Sequence, residues 1–430
     1  MPNCFRLLSL LPLIFLLACS GPLSRRPGSE IVRPTPLILV SIDGFRADYL
    51  DRGITPTLNA LAKSGVHAEY MRPSFPTQTF PNHYALITGL RPDRNGIVAN
   101  TMEDDRIPQQ KFAASNRKAV EDARWWNDGT PLWITAKRSG LHSGIMFWPG
   151  SEAPVHGSHP DFWAIYDQKL QAVTRVDSVL DWLALPADQS PSLMTLYLDT
   201  IDDIGHHFGP DSAELDAELR IVDATVRRLV DGLIERGLEH SVNLIIVSDH
   251  GMVATSPDRV INLDEILPGE SARVVSYGVV TGIVPRPGHE REAESILLGE
   301  HENMQCWRKT ELPARFHYGT HRRVPAIVCL ANHGWTIASQ EYLARKKHFS
   351  LGEHGYDNED PDMRAIFIAH GPAFRSGVVL PPFDNVDVYP LLAWLLGLEP
   401  EPHDGNFDML AGALKMSRPT ETNEVGTTPP

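Results

Sequence analysis

The sequence predicts an α/β fold in which a mainly parallel β-sheet is sandwiched by helices. Short, continuous apolar runs recur along the chain, and segments with helical spacing of apolar residues lie between them. Continuous apolar runs are typical of parallel strands, because both faces of such strands are buried. The runs that we predict to form strands cover residues 36–43, 143–148, 193–199, 243–249 and 365–369.

The first predicted strand, residues 36–43, is apolar and ends in Asp43, which Gly44 follows. Helices are predicted at residues 55–64 and 211–236. The second of these has apolar residues at helical spacing, and Asp211 with Glu214 at its start resembles a capping box. Because ligands bind beyond the carboxyl ends of parallel strands, we expect the functional residues at that edge of the sheet.

A stretch of different composition, about residues 269–348, follows the strand that ends at Asp249. It combines two strand-like runs with a middle that is rich in proline and charge. We interpret this stretch as a cap lobe inserted into one catalytic domain, which spans residues 36–415. The tail, residues 416–430, is rich in Thr and Pro and is predicted to be disordered.

The amino terminus has the pattern of an export signal. Arg6 precedes a short apolar run that ends at Cys19, and this run resembles a bacterial lipobox. On this interpretation residues 1–19 are the signal, Cys19 carries a lipid, and residues 20–35 are a tether. We therefore expect an exported protein anchored by lipid in the cell envelope, in the periplasm or at the outer membrane. The alternatives are an ordinary signal peptide cut nearby and a plain hydrophobic tail.

Charge and cysteine content limit the partners and the compartment. The formal net charge of −15 argues against binding of nucleic acid polymers, which requires clustered Lys and Arg. No protein partner is inferred. Of the four cysteines, Cys306 and Cys329 lie in the predicted catalytic domain. In an oxidising compartment these two can form a disulfide, and the sequence leaves this open.

Acidic and histidine residues gather at four places that the predicted sheet brings to one edge. Carboxylates and imidazoles are the ligands of borderline divalent ions such as zinc. A single Asp at a strand end is usually a cap or a turn residue, but four clusters together predict a metal site. The clusters are Asp43; Asp199, Asp202, Asp203, His206 and His207; Asp249 and His250; and Glu353, His354 and Asp357.

Spacing separates the candidate ligands from their neighbours. Asp202 and His206 are four residues apart, so both can face one side of a helical turn. Asp249 and His250 are adjacent, which requires a sharp turn that Gly251 would permit. We interpret the neighbouring Asp199, Asp203 and His207 as groups that support the metal ligands or are solvated.

The candidate nucleophile is Thr79, in a proline-bound turn before a helix predicted through residues 85–88. The amino end of a helix attracts an anionic phosphoryl group through its free amides and its dipole. A threonine there is also a common cap, and the two roles are compatible. A metal is required to lower the pKa of its hydroxyl, because no other base is evident nearby. Asn100 offers an amide donor for a phosphoryl oxygen.

Seven ordered motifs resemble the ectonucleotide pyrophosphatase/phosphodiesterases of the alkaline phosphatase superfamily, and a bacterial member in particular. They extend over nearly the whole chain, from about Leu37 to Leu410. The motifs occupy residues 41–46, 75–83, 96–100, 147–151, 202–206 with 209–210, 248–252 and 355–358. The resemblance implies an alkaline phosphatase-like fold and two zinc ions per chain.

The resemblance also assigns the ligands. One zinc ion would be held by Asp43, Asp249 and His250. The second zinc ion would be held by Asp202, His206 and His354.

Further roles follow for the nucleophile and the substrate. Thr79 would contact a metal and form a phospho-threonine intermediate, and Asn100 would stabilise a phosphoryl oxygen. Phe80 and Tyr166 would flank a nucleobase in a pocket lined by Trp148, since aromatic faces stack on any base. The predicted activity is hydrolysis of nucleotide diester or pyrophosphate bonds, with release of nucleoside 5'-monophosphate.

Two other functions stay open at this point. The same metal core would serve a choline-phosphate diesterase, in which Tyr166 and Trp163 with nearby acids would surround the quaternary ammonium. A non-catalytic envelope lipoprotein is the other alternative, and the intact set of site residues argues against it. A phosphomonoesterase is disfavoured, because no Arg lies beside Asn100 or Thr79.

Overall fold

The structure, a computed structural model, describes residues 33–415 and contains an eight-stranded sheet and a separate five-stranded sheet. The strands are β1 (Leu37–Ile42), β2 (Val66–Ala68), β3 (Met71–Arg72), β4 (Thr101–Met102), β5 (Phe112–Ala113), β6 (Ser143–Met146), β7 (Phe162–Trp163), β8 (Leu193–Leu198), β9 (Asn243–Val247), β10 (Val253–Ala254), β11 (Val260–Asn262), β12 (Ala272–Ser276), β13 (Val280–Pro285), β14 (Gly299–Glu300), β15 (Met304–Arg308), β16 (Ile327–Ala331), β17 (Thr336–Ala338), β18 (Gly352–Glu353), β19 (Phe367–His370), β20 (Val378–Leu380) and β21 (Phe383–Asp384).

Helices connect these strands. The α-helices are α1 (Pro56–Ser64), α2 (Thr79–Thr88), α3 (Pro92–Asn95), α4 (Arg117–Val120), α5 (Leu132–Arg138), α6 (Ala172–Leu183), α7 (Thr200–Phe208), α8 (Ala213–Glu235), α9 (Leu263–Ile266), α10 (Glu290–Leu297), α11 (Gln340–Arg345), α12 (Val388–Leu395) and α13 (Asp408–Ala411). Short 3₁₀ helices cover Ala47–Arg52, Ala123–Trp125, Lys309–Glu311, Ala314–Phe316, Pro361–Met363 and Asn385–Asp387.

The large sheet has the strand order β20-β2-β19-β9-β1-β8-β6-β7. Its strands are parallel to their neighbours except for β19, which is antiparallel to both β9 and β2. The predicted mainly parallel sheet is therefore confirmed. Because β19 runs in reverse, the residues that precede it lie at the edge where β1, β8 and β9 end.

The central strands contribute to two hydrophobic cores, one on each face of the sheet. In β1, Leu37 and Leu39 belong to one core, whereas Ile38, Val40 and Ile42 belong to the other. This alternation follows from the period of two in a strand, and it explains why the whole run is apolar. Helices α2, α5 and α12 bury residues in the first core, and α1, α6 and α8 do so in the second.

Helix α8 begins at Ala213, two residues after the predicted start at 211. Ser212 is its N-cap, and the Ser212 hydroxyl accepts a hydrogen bond from the Leu215 amide (3.1 Å). The capping box predicted at Asp211 and Glu214 is wrong, because Asp211 instead accepts a hydrogen bond from Arg52 (3.1 Å). The predicted apolar spacing of the helix is confirmed by its buried residues.

The five-stranded sheet is antiparallel, in the order β12-β13-β16-β15-β14, and lies within the stretch interpreted as a cap lobe. It has a small core of its own, to which Ile283, Leu297 and Ile327 contribute. Cys306 and Cys329 face each other on β15 and β16 and form a disulfide.

The predicted export signal, all but the last three residues of the tether, and the tail at 416–430 lie outside the described residues. Within residues 33–415, no helix has the length and hydrophobicity needed to cross a membrane.

Candidate active site

Asp43 is presented by the turn that follows β1. The Gly44 backbone has a φ of 68°, in the left-handed region, and a Cβ at this position would lie 3.1 Å from Asp202. The Gly44 amide donates to Asp249 Oδ1 (3.1 Å), and the Tyr197 hydroxyl donates to Asp43 Oδ2. The Asp43 carboxylate is therefore buried and held in one orientation, beside two other acids.

Asp249 and His250 follow β9 and are fully buried. His250 Nε2 lies 3.0 Å from Asp249 Oδ2 and 3.5 Å from Asp43 Oδ1. Gly251 was predicted to permit a sharp turn, but the structure requires glycine here for a different reason. A Cβ would lie 2.0 Å from the carbonyl oxygen of Asp362, so close packing of two backbones, rather than a left-handed turn, demands glycine.

Asp202 and His206 lie one turn apart on α7, as their spacing predicted. His206 Nε2 is 3.4 Å from Asp202 Oδ2, and His354 Nε2 is 3.7 Å from Asp202 Oδ1. The His354 ring stacks on the His250 ring, with centroids 3.6 Å apart. The structure thus brings the six predicted ligands into one continuous cluster.

Backbone carbonyls fix the protonation of three imidazoles. The Nδ1 atoms of His206, His250 and His354 lie 2.7–2.9 Å from the carbonyl oxygens of Gly352, Gly251 and Thr77, respectively. Since a carbonyl only accepts, each Nδ1 carries the hydrogen. In the neutral ring each Nε2 then has a lone pair directed into the cluster, which is the tautomer that binds a metal.

The residues fit divalent cations. One buried oxygen of each carboxylate, namely Asp43 Oδ1, Asp202 Oδ1 and Asp249 Oδ2, accepts no hydrogen bond from the described residues. Leaving buried charge without a partner is costly, and cations between these oxygens and the imidazoles would supply one. Ligand atoms lie within 4.8 Å of one another in the sets Asp202, His206 and His354; Asp43, Asp202 and His250; and Asp43, His83 and Asp249.

The electrostatics of the cluster agree with this fit. Burial, together with Asp249 and Asp202, raises the pKa of Asp43 well above its usual value. Burial and the nearby His250 lower the pKa of His354 to about 4, so this imidazole is neutral at pH 7. Burial also lowers the pKa of His206, but Asp202 outweighs it and raises the pKa to about 10. Binding of a cation would therefore displace a proton from His206.

Thr79 is the first residue of α2, and Gln78, not Thr79, occupies the N-cap position. The Thr79 Oγ1 atom lies 3.3 Å from His250 Nε2, beside the Asp43, Asp249 and His250 group. Asn100 is close by, because its Oδ1 accepts from the Phe80 amide and its own amide donates to Gln78 Oε1, both at 2.9 Å. Asn100 Nδ2 donates no hydrogen bond to any residue from 33 to 415, so this donor is available to a ligand.

His83 is a further site residue, for which the sequence predicted no role. It is fully buried, its Nδ1 lies 2.9 Å from the Thr79 carbonyl, and its Nε2 lies 2.8 Å from Ser41 Oγ. His83 therefore ties the nucleophile helix to β1. The sequence offered one indication of this role: His83 comes four residues after Thr79 in a predicted helix, so the two residues lie on the same face.

Phe80, Trp148 and Tyr166 line one cavity of about 150 Å³, as predicted for a nucleoside pocket. Trp148 is buried, and its Nε1 donates to the His83 carbonyl (3.0 Å). Glu152, which the sequence analysis did not single out, also lines the cavity and accepts from the Tyr166 amide (2.9 Å).

A buried ion pair supports the Tyr166 wall of this cavity. Asp199 accepts from Arg175 Nη1 (2.6 Å) and from the Tyr166 hydroxyl, so the residue that it supports lines the cavity and is not one of the predicted metal ligands. Trp163 does not line the cavity but stacks on His159, with ring centroids 4.4 Å apart. The cage imagined for a quaternary ammonium from Tyr166 and Trp163 is therefore not formed.

A fold of this topology, with buried carboxylates and imidazoles beside a hydroxyl at a helix start, defines a class of metal-dependent enzymes that transfer phosphoryl groups. The family model "Type I phosphodiesterase / nucleotide pyrophosphatase" matches residues 37–357. The chain belongs to this nucleotide pyrophosphatase/phosphodiesterase family and is an enzyme that hydrolyses phosphodiester bonds.

Named relatives and solved structures agree. The chain is 36% identical over 402 residues to the human ectonucleotide pyrophosphatase/phosphodiesterase family member 5, which covers 93% of this chain and 82% of the human protein. It is 37% identical over 398 residues to the bis(5'-adenosyl)-triphosphatase of Bos taurus, covering 92% and 85%. A structure of murine family member 5, an inactive variant in complex with AMP, aligns with a TM-score of 0.84 and 37% identity, covering 88% of this chain and all of that chain.

Proposed function

We propose that the protein hydrolyses nucleotide diester or pyrophosphate bonds and releases nucleoside 5'-monophosphate through a phospho-threonine on Thr79. The observation that carries the proposal is the position of the Thr79 hydroxyl beside a carboxylate–imidazole cluster, with the next residue, Phe80, lining an aromatic cavity. The murine structure supports it, because an inactive variant with threonine replaced by alanine holds AMP.

We assign one zinc ion to Asp43, Asp249 and His250, and a second to the set Asp202, His206 and His354. Imidazole ligands favour zinc over ions that prefer oxygen alone. When bound beside Thr79, such ions lower the pKa of the attacking hydroxyl and neutralise charge on the phosphoryl oxygens.

The chain's own residues position the reaction. Phe80 and Tyr166 hold the base, so that the phosphorus lies over Thr79. The Thr79 oxygen forms a bond to phosphorus and its proton passes to water, while the bond to the leaving oxygen breaks and that oxygen departs with the electron pair. Asn100 Nδ2 donates to a phosphoryl oxygen as charge develops on it. Attack by water then breaks the bond between Thr79 and phosphorus, which releases the monophosphate and restores the hydroxyl.

We further propose that the protein is a bacterial envelope lipoprotein. The support is the lipobox pattern before Cys19, and the similarity to ectonucleotide pyrophosphatase/phosphodiesterases is consistent with export. The proposed organisation is a signal at residues 1–19, a tether at 20–35 and a catalytic domain at 36–415 that contains the cap lobe at 269–348. Incorporation of labelled palmitate, and its loss in Cys19→Ala, is the measurement that tests the anchor.

A panel of four substrates tests the proposed activity. The purified protein with added zinc is given a nucleoside 5'-monophosphate aryl diester, ATP, a phosphocholine aryl diester and an aryl monophosphate, and kcat/KM is measured for each. We expect kcat/KM for the nucleotide diester and ATP to exceed that for the other two by about 10- to 100-fold, because stacking of the base in the aromatic cavity contributes about 1–3 kcal/mol.

Each other outcome has a definite meaning. Preference for the phosphocholine diester would keep the metal chemistry and replace the substrate. Absence of turnover on all four, with metal bound, would favour the non-catalytic alternative.

A further inference from the structure

His354 reaches the catalytic cluster from a segment that has little regular structure of its own. The other five predicted ligands either follow a strand of the large sheet or lie on α7. His354 instead follows β18, a strand of two residues that pairs with the equally short β10. The position of the His354 ring therefore depends on individual contacts rather than on a strand or a helix.

Three of these contacts come from Thr77, in the loop that precedes α2. The Thr77 carbonyl accepts a hydrogen bond from His354 Nδ1 (2.9 Å). The Thr77 hydroxyl accepts from the Gly355 amide (3.0 Å) and donates to the Tyr356 carbonyl (2.9 Å). The hydroxyl also lies 3.0 Å from Met363 Sδ, which is a weak acceptor. Thr77 thus holds three consecutive residues, of which His354 is the first.

Burial makes the bonds of the Thr77 hydroxyl hard to replace. Thr77 has no exposed surface, and His354 and Tyr356 are buried beside it. A buried donor or acceptor that loses its partner cannot bond to water instead. Without the hydroxyl, the Gly355 amide and the Tyr356 carbonyl would lose their partner, and the segment that carries His354 would shift to find new ones.

The loop that carries Thr77 is itself fixed against α2. Asn82 lies on α2 and is fully buried. Its Nδ2 donates to the carbonyls of Pro76 and Gln78, both at 2.9 Å. The residues on either side of Thr77 are therefore held to the helix that begins with Thr79, so Thr77 is a rigid reference for the segment that it contacts.

We propose that Thr77 is a positioning residue, whose hydroxyl holds His354 where the second zinc ion requires it. The inference rests on the proposed function, in which Asp202, His206 and His354 bind that ion. Because Thr77 precedes Thr79 by two residues, one short loop places both the nucleophile and a ligand of the second ion. In the described part of the chain, no ligand of the first ion forms a hydrogen bond with Thr77, so the effect of Thr77 is on the second ion.

Two variants of Thr77 test the role of its hydroxyl. Thr77→Val keeps the shape of the side chain without the hydroxyl, whereas Thr77→Ser keeps the hydroxyl. Zinc affinity is measured by titration of each metal-free protein against a competing chelator. In Thr77→Val, we expect the dissociation constant of one zinc ion to rise about 10- to 100-fold, as loss of a group that orients a ligand predicts, and that of the other to change less than about threefold. Thr77→Ser should bind both ions as the wild type does.

A double variant shows whether the effect passes through His354. When Thr77→Val is combined with His354→Ala, we expect no loss of zinc affinity beyond that of His354→Ala alone, because the ligand that Thr77 orients is absent. Activity gives a second readout. The kcat/KM of Thr77→Val on the nucleotide aryl ester should be low at limiting zinc and return toward the wild-type value at high free zinc, since Thr79 is intact.

Thr225→Val is the matched control. Thr225 is buried on α8, and its hydroxyl donates to the Ile221 carbonyl (3.0 Å), so the same substitution there should leave both ions unaffected. Thr77→Ala removes the same hydroxyl with a smaller side chain and provides the comparison if Thr77→Val does not fold.

Several results would overturn the positioning role of Thr77. These are wild-type zinc affinity in Thr77→Val, an equal loss in Thr77→Ser, and a further loss caused by Thr77→Val when His354 is already alanine. The titrations use no substrate, so they are independent of whether the proposed hydrolysis occurs. A wild-type protein that binds fewer than two ions would refute the proposed ligand sets and this inference with them.

Discussion

Individual side chains of the candidate site are held in place by buried hydrogen bonds to neighbouring residues. Tyr197 holds Asp43, and backbone carbonyls hold the imidazoles of His206, His250 and His354. Such contacts set the orientation of each ligand before any cation arrives. The site is therefore preorganised, and replacing a ligand should affect cation binding more than folding.

Thr79→Ala and His354→Ala should separate chemistry from metal binding. Thr79→Ala removes the proposed nucleophile, and we expect turnover to fall by at least about 1000-fold while metal content stays near that of the wild type. His354→Ala removes one of three ligands of a proposed ion, so metal content and activity should fall together. Elemental analysis and kcat on the nucleotide aryl ester measure both.

The two variants control each other, because they replace side chains of one cluster. Substantial activity in Thr79→Ala would rule out a covalent intermediate on this residue. An unchanged metal content in His354→Ala would mean that the proposed second set of ligands is wrong.

At the level of elements, local sequence patterns predicted strands and helices. They did not predict the direction of each strand or the contacts between residues that are distant in sequence. Apolar runs located five of the eight strands of the large sheet and missed the short strands β2, β7 and β20. Burial on both faces is the same for a parallel and an antiparallel strand, so the reversal of β19 was not visible. Asp211 and Ser212 are both good caps, and only the contact with Arg52 decides between them. His83 was overlooked because its role depends on Ser41, which is distant in sequence.

The disulfide between β15 and β16 should stabilise the five-stranded sheet. Cys306 and Cys329 are 23 residues apart in sequence. Closing a loop of that length stabilises the folded state by about 3 kcal/mol in the chain-entropy model. We expect the double variant Cys306→Ala with Cys329→Ala to unfold at a lower temperature in thermal melts followed by circular dichroism.

A reducing agent provides the matched control for the disulfide. It should lower the Tm of the wild type and leave that of the double variant unchanged. Equal Tm values for both proteins without reductant would contradict a stabilising disulfide.

Across the whole molecule, the segment between β15 and β16 is tied to loops near α3 and α5 by buried charge. Arg323 is buried and donates to Asp104 Oδ2 and to the carbonyls of Gly96 and Trp125, each at 2.7 Å. Asp128 extends this network and accepts from Arg322 (2.9 Å). This network thus joins the segment around residues 322–323 to the segments around residues 96–104 and 125–128.

Asp128 makes the stability of this network depend on pH. Burial raises the pKa of Asp128, but His321, Arg323 and Arg322 outweigh it and lower the pKa from 3.8 to about 2. Because the folded state favours the carboxylate, its contribution is present above about pH 4 and is lost as the pH falls through 2. Asp128→Asn should lower the free energy of unfolding by about 1 kcal/mol at pH 7, after allowance for partial exposure.

Urea unfolding of wild type and Asp128→Asn between pH 7 and pH 2.5 measures this contribution. The difference between the two proteins should shrink as the pH falls below 4. Asp188→Asn, at an exposed position, serves as the control and should show no difference at any pH. A difference that is independent of pH would show that the charge of Asp128 is not responsible.

The reversed strand β19 also bears on how such proteins diversify. The chain leaves the catalytic cluster after His250 and returns to it at His354, and both points lie at the same edge of the sheet. Everything between them, including the five-stranded sheet and α11, is one excursion that starts and ends at the cluster. Evolution can lengthen, shorten or exchange the middle of this excursion, while Gly352 near its end keeps its contact with His206. Relatives with the same chemistry can therefore acquire different substrates through changes in the single segment between His250 and His354.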